Sequence, residues 1–192
     1  MPSDRTRISI IGCGHVGTAC AFALLQSHFV REIVLIDEAK SLAQGQALDL
    51  QQVVPLGMPV RIVAGTYQDA AASSIVVLTA GAPGKFTGSR FDQIADNVEI
   101  LRGCLNKLRA GGFRGVLLIA TNPVDILTYV AQTESGLPVG QVVGSGTLID
   151  TERLHSILGE KLNVEARSVN VAIIGEHGDS SVAVWSAAQV VT

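Results

Sequence analysis

Charged residues are scarce in this sequence. They make up 16% of its 192 residues, with 14 Lys or Arg against 17 Asp or Glu and a formal net charge of -3 at pH 7. The sequence contains no run of Lys or Arg, and binding to nucleic acid or to an anionic membrane needs such a cluster of positive charge. We therefore expect neither partner. Disorder is also excluded, because 47% of the residues are hydrophobic.

Long apolar segments and an even set of cysteines are also lacking. The longest apolar stretches, such as 115–120 and 171–174, are far shorter than the ~20 residues that cross a bilayer, and no signal-peptide pattern follows the N-terminus. The three cysteines, Cys13, Cys20 and Cys104, lie within apolar segments. They fit packed thiols better than a disulfide framework or a metal cluster. We expect no membrane association, no bound metal and a cytoplasmic protein.

What the sequence does contain is a regular alternation of strand and helix patterns. Short runs rich in Val and Ile recur at 8–11, 33–36, 60–63, 75–78, 116–119 and 142–143. Such continuous runs are typical of parallel strands that are covered on both faces. Helical patterns separate them, most clearly the apolar spacing of three and four residues from Phe91 to Leu108. The alternation predicts an α/β fold with a doubly wound parallel sheet.

The pattern changes after Gly144. A predicted helix over 148–162 is followed by one apolar run, 169–174, and then by the last residues printed. A segment this short does not bury a core by itself. We therefore expect a nucleotide-binding domain over 1–144 and the first, incomplete part of an α+β catalytic domain over 145–192.

The first predicted strand ends in a glycine-rich motif, Gly-Cys-Gly-His-Val-Gly, at residues 12–17. Its glycines allow a tight turn and close approach of the backbone to a pyrophosphate, and the helix that follows attracts negative charge. Asp37 ends the second strand at the spacing of about 20 residues expected for the acid that binds the adenine ribose, which favours NAD over NADP. The predicted cofactor contacts are Gly12, Gly14, His15, Val16, Gly17 and Asp37. The alternative is a glycine-rich turn followed by a capping aspartate.

A loop with three glycines and a proline, 81–90, follows the fourth predicted strand. Ligands bind at the carboxyl ends of parallel strands, and a loop that closes there would bring Arg90 to a reacting carbonyl. Asn122 ends the fifth strand and is predicted to face the same crevice. The alternatives are an ordinary flexible loop with a solvated arginine, and an asparagine that opens a turn before a proline.

His177 lies between two glycines directly after an apolar run, which indicates a strand end rather than a core position. Asp150 and Arg153 are three residues apart on the predicted helix 148–162, near its apolar stripe. One interpretation is a structural histidine and a buried ion pair. The functional interpretation gives the two charges separate tasks: Asp150 orients a histidine and favours its protonated form, and Arg153 binds a substrate carboxylate.

Taken together, these motifs resemble the L-lactate/malate dehydrogenase family. The resemblance covers the whole sequence and rests on residues 12–17, Asp37, 79–83, 89–90, 121–127, 144–153 and 175–180. It implies a Rossmann domain, NAD as cofactor, and hydride transfer between the nicotinamide and C2 of a 2-hydroxy or 2-oxo acid. It also implies further cofactor contacts at Thr79, Ala80, Gly81 and Asn122.

The resemblance assigns catalytic roles as well. His177 and Asp150 match the family's proton-transfer pair, Arg153 its carboxylate anchor, Arg90 the loop arginine that polarises the carbonyl, and Asn122 a contact to substrate and nicotinamide ribose. Homo-oligomeric assembly, as a homotetramer, is implied for the full-length form.

The loop position occupied by Gly84 separates substrates in this family, where Gln accompanies lactate and Arg accompanies malate. Gly84 is neither, and Lys85 is an imperfect substitute for the arginine because it is a point charge on a different path. We expect lactate and pyruvate to be the substrates, with malate and bulkier 2-hydroxy acids as alternatives. Family members continue well beyond His177, so we expect a piece of a longer product that binds NAD but turns over poorly alone. A non-catalytic NAD-binding module is the alternative outside enzymes.

Overall fold

The computed structural model describes residues 6–27, 29–54, 59–82 and 90–191, with the side chains of 90–93 left out. Its main sheet consists of β1 (Thr6–Ile11), β2 (Val30–Ile36), β3 (Arg61–Ala64), β4 (Ile75–Leu78), β5 (Val116–Ile119) and β6 (Val142–Gly144). The strands are all parallel, in the order β3-β2-β1-β4-β5-β6. The order reverses between β1 and β4, and ligands bind at such a reversal in open α/β sheets. The predicted doubly wound fold is confirmed.

Helices connect these strands as parallel pairing requires. They are α1 (His15–Leu25), α2 (Lys40–Gln51), α3 (Tyr67–Ala70), α4 (Arg90–Ala110) and α5 (Val124–Glu134). The apolar spacing read from Phe91 to Leu108 corresponds to α4, whose buried residues face the sheet at Leu101, Leu105 and Leu108. Within the described residues, no helix has both the length and the apolar character needed to cross a bilayer.

Both faces of the sheet are covered, which explains why its strands read as continuous apolar runs. Along β1, Ile10 packs into the cluster on one face and Ile11 into the cluster on the other. Along β2, Val34 and Leu35 divide in the same way. All four are nearly inaccessible to solvent. Side chains alternate between the faces of a strand, so an apolar layer forms on each side of the sheet. Ser9 in the middle of β1 is a buried polar exception, and its hydroxyl shares a hydrogen bond with that of Ser73 at 2.7 Å.

A charged group occupies the amino-terminal part of this sheet. Glu32 on β2 lies beside Arg7 on β1 and Arg61 on β3 in the strand register. Its carboxylate accepts hydrogen bonds from Arg7 at 2.7 Å and from Arg61 at 2.5 Å, and its side chain is 7% exposed. The hydrogen bond from Arg7, aided by the charges of both arginines, holds the pKa of Glu32 below its usual value.

The chain after β6 forms α6 (Leu148–Leu162), β7 (Val169–Asn170), β8 (Ile173–Ile174), β9 (Val182–Ala183) and β10 (Gln189–Val190). β7 pairs with β10 and β8 with β9, both antiparallel. The apolar run 169–174 is therefore divided between two sheets. The division of the sequence at 144 and 145 stays a prediction. On α6, several apolar side chains are more than half exposed, namely Leu148, Ile149, Ile157 and Leu162.

Candidate active site

The glycine loop after β1 packs directly against the end of β4. Gly12 adopts φ +102°, and a Cβ atom built there would lie well inside 3.0 Å of the backbone of Ala80. A Cβ on Gly17 would overlap the carbonyl oxygen of Gly12 and lie 2.7 Å from Oγ1 of Thr79. Thr79 donates its hydroxyl hydrogen to that same carbonyl at 2.7 Å. A side chain at position 12 or 17 would displace backbone, so the two glycines bring α1 close to the sheet.

The start of α1 is open beside this loop. Gly14 is its N-cap residue, and among the described side chains none caps the first turn. A Cβ on Gly14 would meet no heavy atom within 4 Å, and Gly14, His15 and Val16 are exposed. Unbonded N–H groups and the positive end of a helix dipole bind anions such as a pyrophosphate. The residues present therefore fit the diphosphate of a dinucleotide.

Asp37 follows β2 and lies against the glycine loop. Its carboxylate accepts hydrogen bonds from the backbone N–H groups of Cys13 at 2.7 Å and Ala39 at 2.9 Å. A carboxylate offers about four acceptor sites, so these two bonds fix its position and leave capacity for a pair of ribose hydroxyls. Burial, together with the charge of Asp37, raises the pKa of Cys13 to about 12.

The loops after β4 and β5 are joined by two buried polar side chains. Thr121 donates its hydroxyl hydrogen to the carbonyl oxygen of Ala80 at 2.8 Å. Asn97 on α4 accepts from the N–H of Ala82 at 2.7 Å and donates its amide to the carbonyl oxygen of Asn122 at 2.8 Å. The remaining predicted cofactor contacts therefore lie on two mutually bonded loops: Thr79, Ala80, Gly81 and Asn122.

An aspartate and a histidine meet beyond β6. Asp150 lies in the first turn of α6, and His177 follows β8. Nδ1 of His177 and Oδ2 of Asp150 are 2.5 Å apart, and the two side chains are 25% and 20% exposed. Two residues of one predicted pair, 27 positions apart in sequence, are thus in direct hydrogen-bond contact.

Two threonines on either side of Asp150 explain this placement. Thr147 donates to the carbonyl oxygen of Ile173 at 2.6 Å, and Thr151 accepts from the N–H of Ile173 at 2.9 Å. These bonds hold β8 along the start of α6. Gly175 adopts φ +96°, which turns the chain between β8 and His177. Gly178, on the other side of the histidine, is not in this left-handed region.

A third group fixes the histidine loop to the large sheet. The backbone N–H of His177 donates to Oδ2 of Asp125 at 2.9 Å, and Asp125 lies in the first turn of α5. α5 follows β5 directly, so this bond places the loop of His177 above the same edge of the sheet as Asn122.

Arg153 forms an ion pair with Asp150, and the separate tasks that the functional interpretation gives to these two residues stay a prediction. Its Nη1 is 3.2 Å from Oδ1 of Asp150, and 68% of its side chain is exposed. The ion pair of the other interpretation is therefore present, but its arginine is exposed rather than buried. An exposed guanidinium beside the Asp150–His177 pair has donors available for a ligand carboxylate.

Comparison with known proteins identifies the family of this site. Residues 6–144 match the model of the lactate/malate dehydrogenase NAD binding domain, and residues 147–192 match that of the family's alpha/beta C-terminal domain. The chain belongs to the lactate/malate dehydrogenase family. NAD is thereby confirmed as the cofactor of this NAD-binding domain, in agreement with the open helix start and Asp37.

The relatives within this family are named L-lactate dehydrogenases. L-lactate dehydrogenase 2 of Enterococcus faecalis is 46% identical over 94% of this chain and 57% of its own length. L-lactate dehydrogenase 1 of Lactococcus lactis subsp. cremoris is 44% identical over 97% of this chain and 58% of its own. A crystal structure of the minor L-lactate dehydrogenase from Enterococcus mundtii, in a ligand-bound form, superimposes with a TM-score of 0.94 at 42% identity, over 97% of this chain and 60% of that one. The chain thus spans less than two thirds of each.

Three predicted substrate-loop residues lie, entirely or with their side chains, outside the part of the chain that the structure describes. Gly84 and Lys85 lie outside the described residues. Arg90 is the first residue of α4, and its side chain lies outside them as well.

Two polar residues of the site were missed by sequence reasoning. Asn97 lies three residues after Ile94 and four before Leu101 on the apolar face of α4, and a polar residue at such a position is a signal of a buried hydrogen bond. Asp125 lies in the motif 121–127, and no role was predicted for it. Its acidic position in the first turn of α5 reads equally well as a favourable helix-dipole contact.

Proposed function

We propose that this chain carries the cofactor site and the proton-transfer pair of an NAD-dependent L-lactate dehydrogenase, which interconverts lactate and pyruvate. The observation that supports it best is the 2.5 Å contact between His177 Nδ1 and Asp150 Oδ2, placed beside the carboxyl ends of the sheet that binds NAD. Bound NAD supplies the hydride acceptor of the oxidation. The protein must then remove the hydroxyl proton of lactate.

His177 is proposed as the group that takes this proton. Because Nδ1 is engaged by Asp150, Nε2 is the ring nitrogen available to the substrate hydroxyl. A neutral imidazole accepts the proton there, and the resulting positive charge lies against the Asp150 carboxylate, which also keeps the ring oriented. The hydrogen bond that the backbone N–H of His177 donates to Asp125 holds the loop in place.

The remaining roles concern substrate binding. Arg153 binds the substrate carboxylate through guanidinium donors not used by Asp150, and a planar fork suits that geometry. Asn122 contacts the substrate and the nicotinamide ribose. Arg90 polarises the reacting carbonyl, a role that rests on the sequence alone.

Lactate is favoured over malate at the substrate side chain. Gly84 supplies no cation for a second carboxylate, and Lys85 is the alternative counter-ion. The names of the relatives agree with this choice. We also propose a homo-oligomer, a homotetramer in the full-length form, because exposed apolar side chains such as Phe22 and Leu48 on α1 and α2 are suited to a protein interface. A cytoplasmic location remains a prediction.

The test is NADH oxidation with pyruvate, oxaloacetate and longer 2-oxo acids. It is run on the 192-residue chain and on the product of its gene read to the stop codon, with His177→Gln as the inactive control. We expect NADH binding by both forms, preference for pyruvate in the active form and little turnover by the chain alone. Preference for oxaloacetate would refute the lactate assignment.

A second candidate function is supported by the length of the chain. Since it spans 57% to 60% of the relatives cited, an NAD-binding module without turnover is the alternative. NADH binding combined with no reduction of any 2-oxo acid in either form would favour the module.

A further inference from the structure

A buried amide at the edge of the cofactor crevice has no role so far. Asn97 is 5% exposed and lies two helical turns after Arg90, the first residue of α4. Both polar atoms of its side chain bond to backbone: Oδ1 accepts from Ala82, and Nδ2 donates to Asn122. The two partners lie on the loops that follow β4 and β5. One side chain therefore connects three elements that meet at the carboxyl edge of the sheet.

The position of these loops indicates which half of the cofactor they face. Asp37 follows β2 and is suited to the adenine ribose, and the open start of α1 is suited to the diphosphate. The strand order then continues from β1 to β4 and β5, so the second half of an extended dinucleotide lies over those strands. His177 is held on the same side by Asp125, as hydride transfer to or from the nicotinamide requires.

We propose that Asn97 is a positioning residue for the nicotinamide half of NAD. This inference rests on the proposed function. Both polar atoms of the Asn97 side chain bond to the two loops, so the residue acts by fixing the separation of these loops.

The packing at Gly81 supports this role. A Cβ there would lie 2.9 Å from Cγ2 of Thr121 and 3.3 Å from Oδ1 of Asn97. The backbone of one loop is thus in close contact with a side chain of the other and with the amide that joins them. Removal of the amide takes the partner from the N–H of Ala82 and from the carbonyl of Asn122, whose bonds to it are partly buried. Unsatisfied groups of this kind draw in water or move apart.

Two substitutions separate the two bonds. Asn97→Ala removes both. Asn97→Asp keeps an acceptor for the N–H of Ala82, but it loses the donor to Asn122 and places a carboxylate oxygen against a carbonyl oxygen. Asn106 on the same helix provides the matched controls Asn106→Ala and Asn106→Asp, because it is exposed and its side chain accepts only from Arg109, at 3.0 Å, among the contacts of the described residues.

The measurement is calorimetric titration of the 192-residue chain and of each variant with NADH and, separately, with ADP, which carries the adenine half alone. Both Asn97 variants are expected to bind NADH about tenfold more weakly, since both lose the partly buried bond to Asn122, with ADP affinity unchanged. Both Asn106 variants should match the parent for the two ligands.

Every other result overturns the inference. Equal loss of NADH and ADP affinity, including loss of both through failure to fold, means that Asn97 is merely structural. If the parent binds NADH and the Asn97 variants bind it equally well, the inference is refuted but the proposed function is not. A parent that binds no NADH refutes the proposed function, and the inference with it.

Discussion

Two glycines of one loop are expected to respond in opposite ways to the same substitution. Gly17 is enclosed, because a Cβ there overlaps the carbonyl oxygen of Gly12. Gly14 is open, because a Cβ there meets no atom within 4 Å. Gly17→Ala should therefore reduce stability, whereas Gly14→Ala should reduce cofactor binding while the fold is retained.

The loss of stability expected for Gly17→Ala follows from the backbone that the new methyl group must displace. The carbonyl of Gly12 is held by the hydroxyl of Thr79 at 2.7 Å, so it cannot rotate away without breaking that bond. Forcing a methyl group into a close-packed site with backbone displacement costs about 3 kcal/mol. For a chain of 192 residues, that corresponds to a melting temperature lower by roughly 6–12 °C.

For Gly14→Ala, the expected effect is on NADH affinity rather than on stability. The residue has φ -73° and ψ -167°, a conformation that alanine adopts freely. The weaker N-cap and the reduced entropy of the unfolded chain nearly offset each other, so stability should change by less than about 1 kcal/mol. The new methyl group occupies the space through which a pyrophosphate approaches the helix N–H groups. We expect NADH affinity to fall by about tenfold or more.

The assay is thermal unfolding followed by circular dichroism, with NADH affinity measured by calorimetric titration of the folded variants. Ligand that binds only the folded state raises its melting temperature, so the Gly14→Ala variant should also lose most of the shift that NADH causes in the parent. A Gly17→Ala variant that melts like the parent would refute the argument from close packing. A Gly14→Ala variant with parental NADH affinity would show that the diphosphate does not bind at the start of α1.

Three further predictions concern charge and protonation. Asp150→Asn should lower pyruvate reduction by roughly a hundredfold or more in whichever form is active, with NADH affinity unchanged; full activity would exclude the His177 mechanism. Glu32→Gln should lower the free energy of unfolding by about 2 kcal/mol at pH 7, which is measured as a lower urea midpoint. The control Glu99→Gln, at an exposed residue, should change it little. The folded-state pKa of Glu32 is depressed, so the stabilisation from its ionised form is present above the unfolded pKa of about 4.3 and is lost as pH falls through the folded pKa. The urea midpoints of the parent and of Glu32→Gln should therefore converge in acid. A difference between them that stays constant with pH would contradict this. Cys13, with its pKa raised to about 12 by burial and by a nearby charge, should resist iodoacetamide at pH 8 until the chain unfolds; rapid alkylation of the folded chain would refute its burial.

The fold could be predicted because its determinants are local in sequence. Each core strand is a short apolar run whose neighbouring residues, such as Ile10 and Ile11, serve opposite faces. The helix predicted over 148–162 has those bounds in the structure. Its environment could not be predicted in the same way. Ile157 and Leu162 belong to an apolar helix pattern yet are more than half exposed, because periodicity shows which residues share a face but not what covers that face.

The sequence predicted those site residues whose side chains are themselves chemically distinctive. A histidine beside glycines and an acid three residues from an arginine can be recognised as candidates. Their contact at 2.5 Å depends on Thr147 and Thr151 bonding to Ile173, and these threonines carry no chemical signature. A buried pair of Asp150 and Arg153 was one of two interpretations of the sequence. The pair that forms leaves the arginine side chain 68% exposed, and the spacing of two residues along a helix does not determine their exposure.

The low charge of the chain gives its few buried polar groups particular weight. A buried polar group is unfavourable unless it is hydrogen-bonded, so one that lies in this apolar core has a specific partner. Asn97 and Thr121 are both buried, and both bond to backbone at the carboxyl ends of β4 and β5. Loops held in this way keep their spacing without a ligand, which lowers the entropic cost of binding one. Apolar replacement there should therefore affect the fit of the cofactor more than the formation of the sheet, since β4 and β5 pair through their own backbone from Ile75 to Leu78.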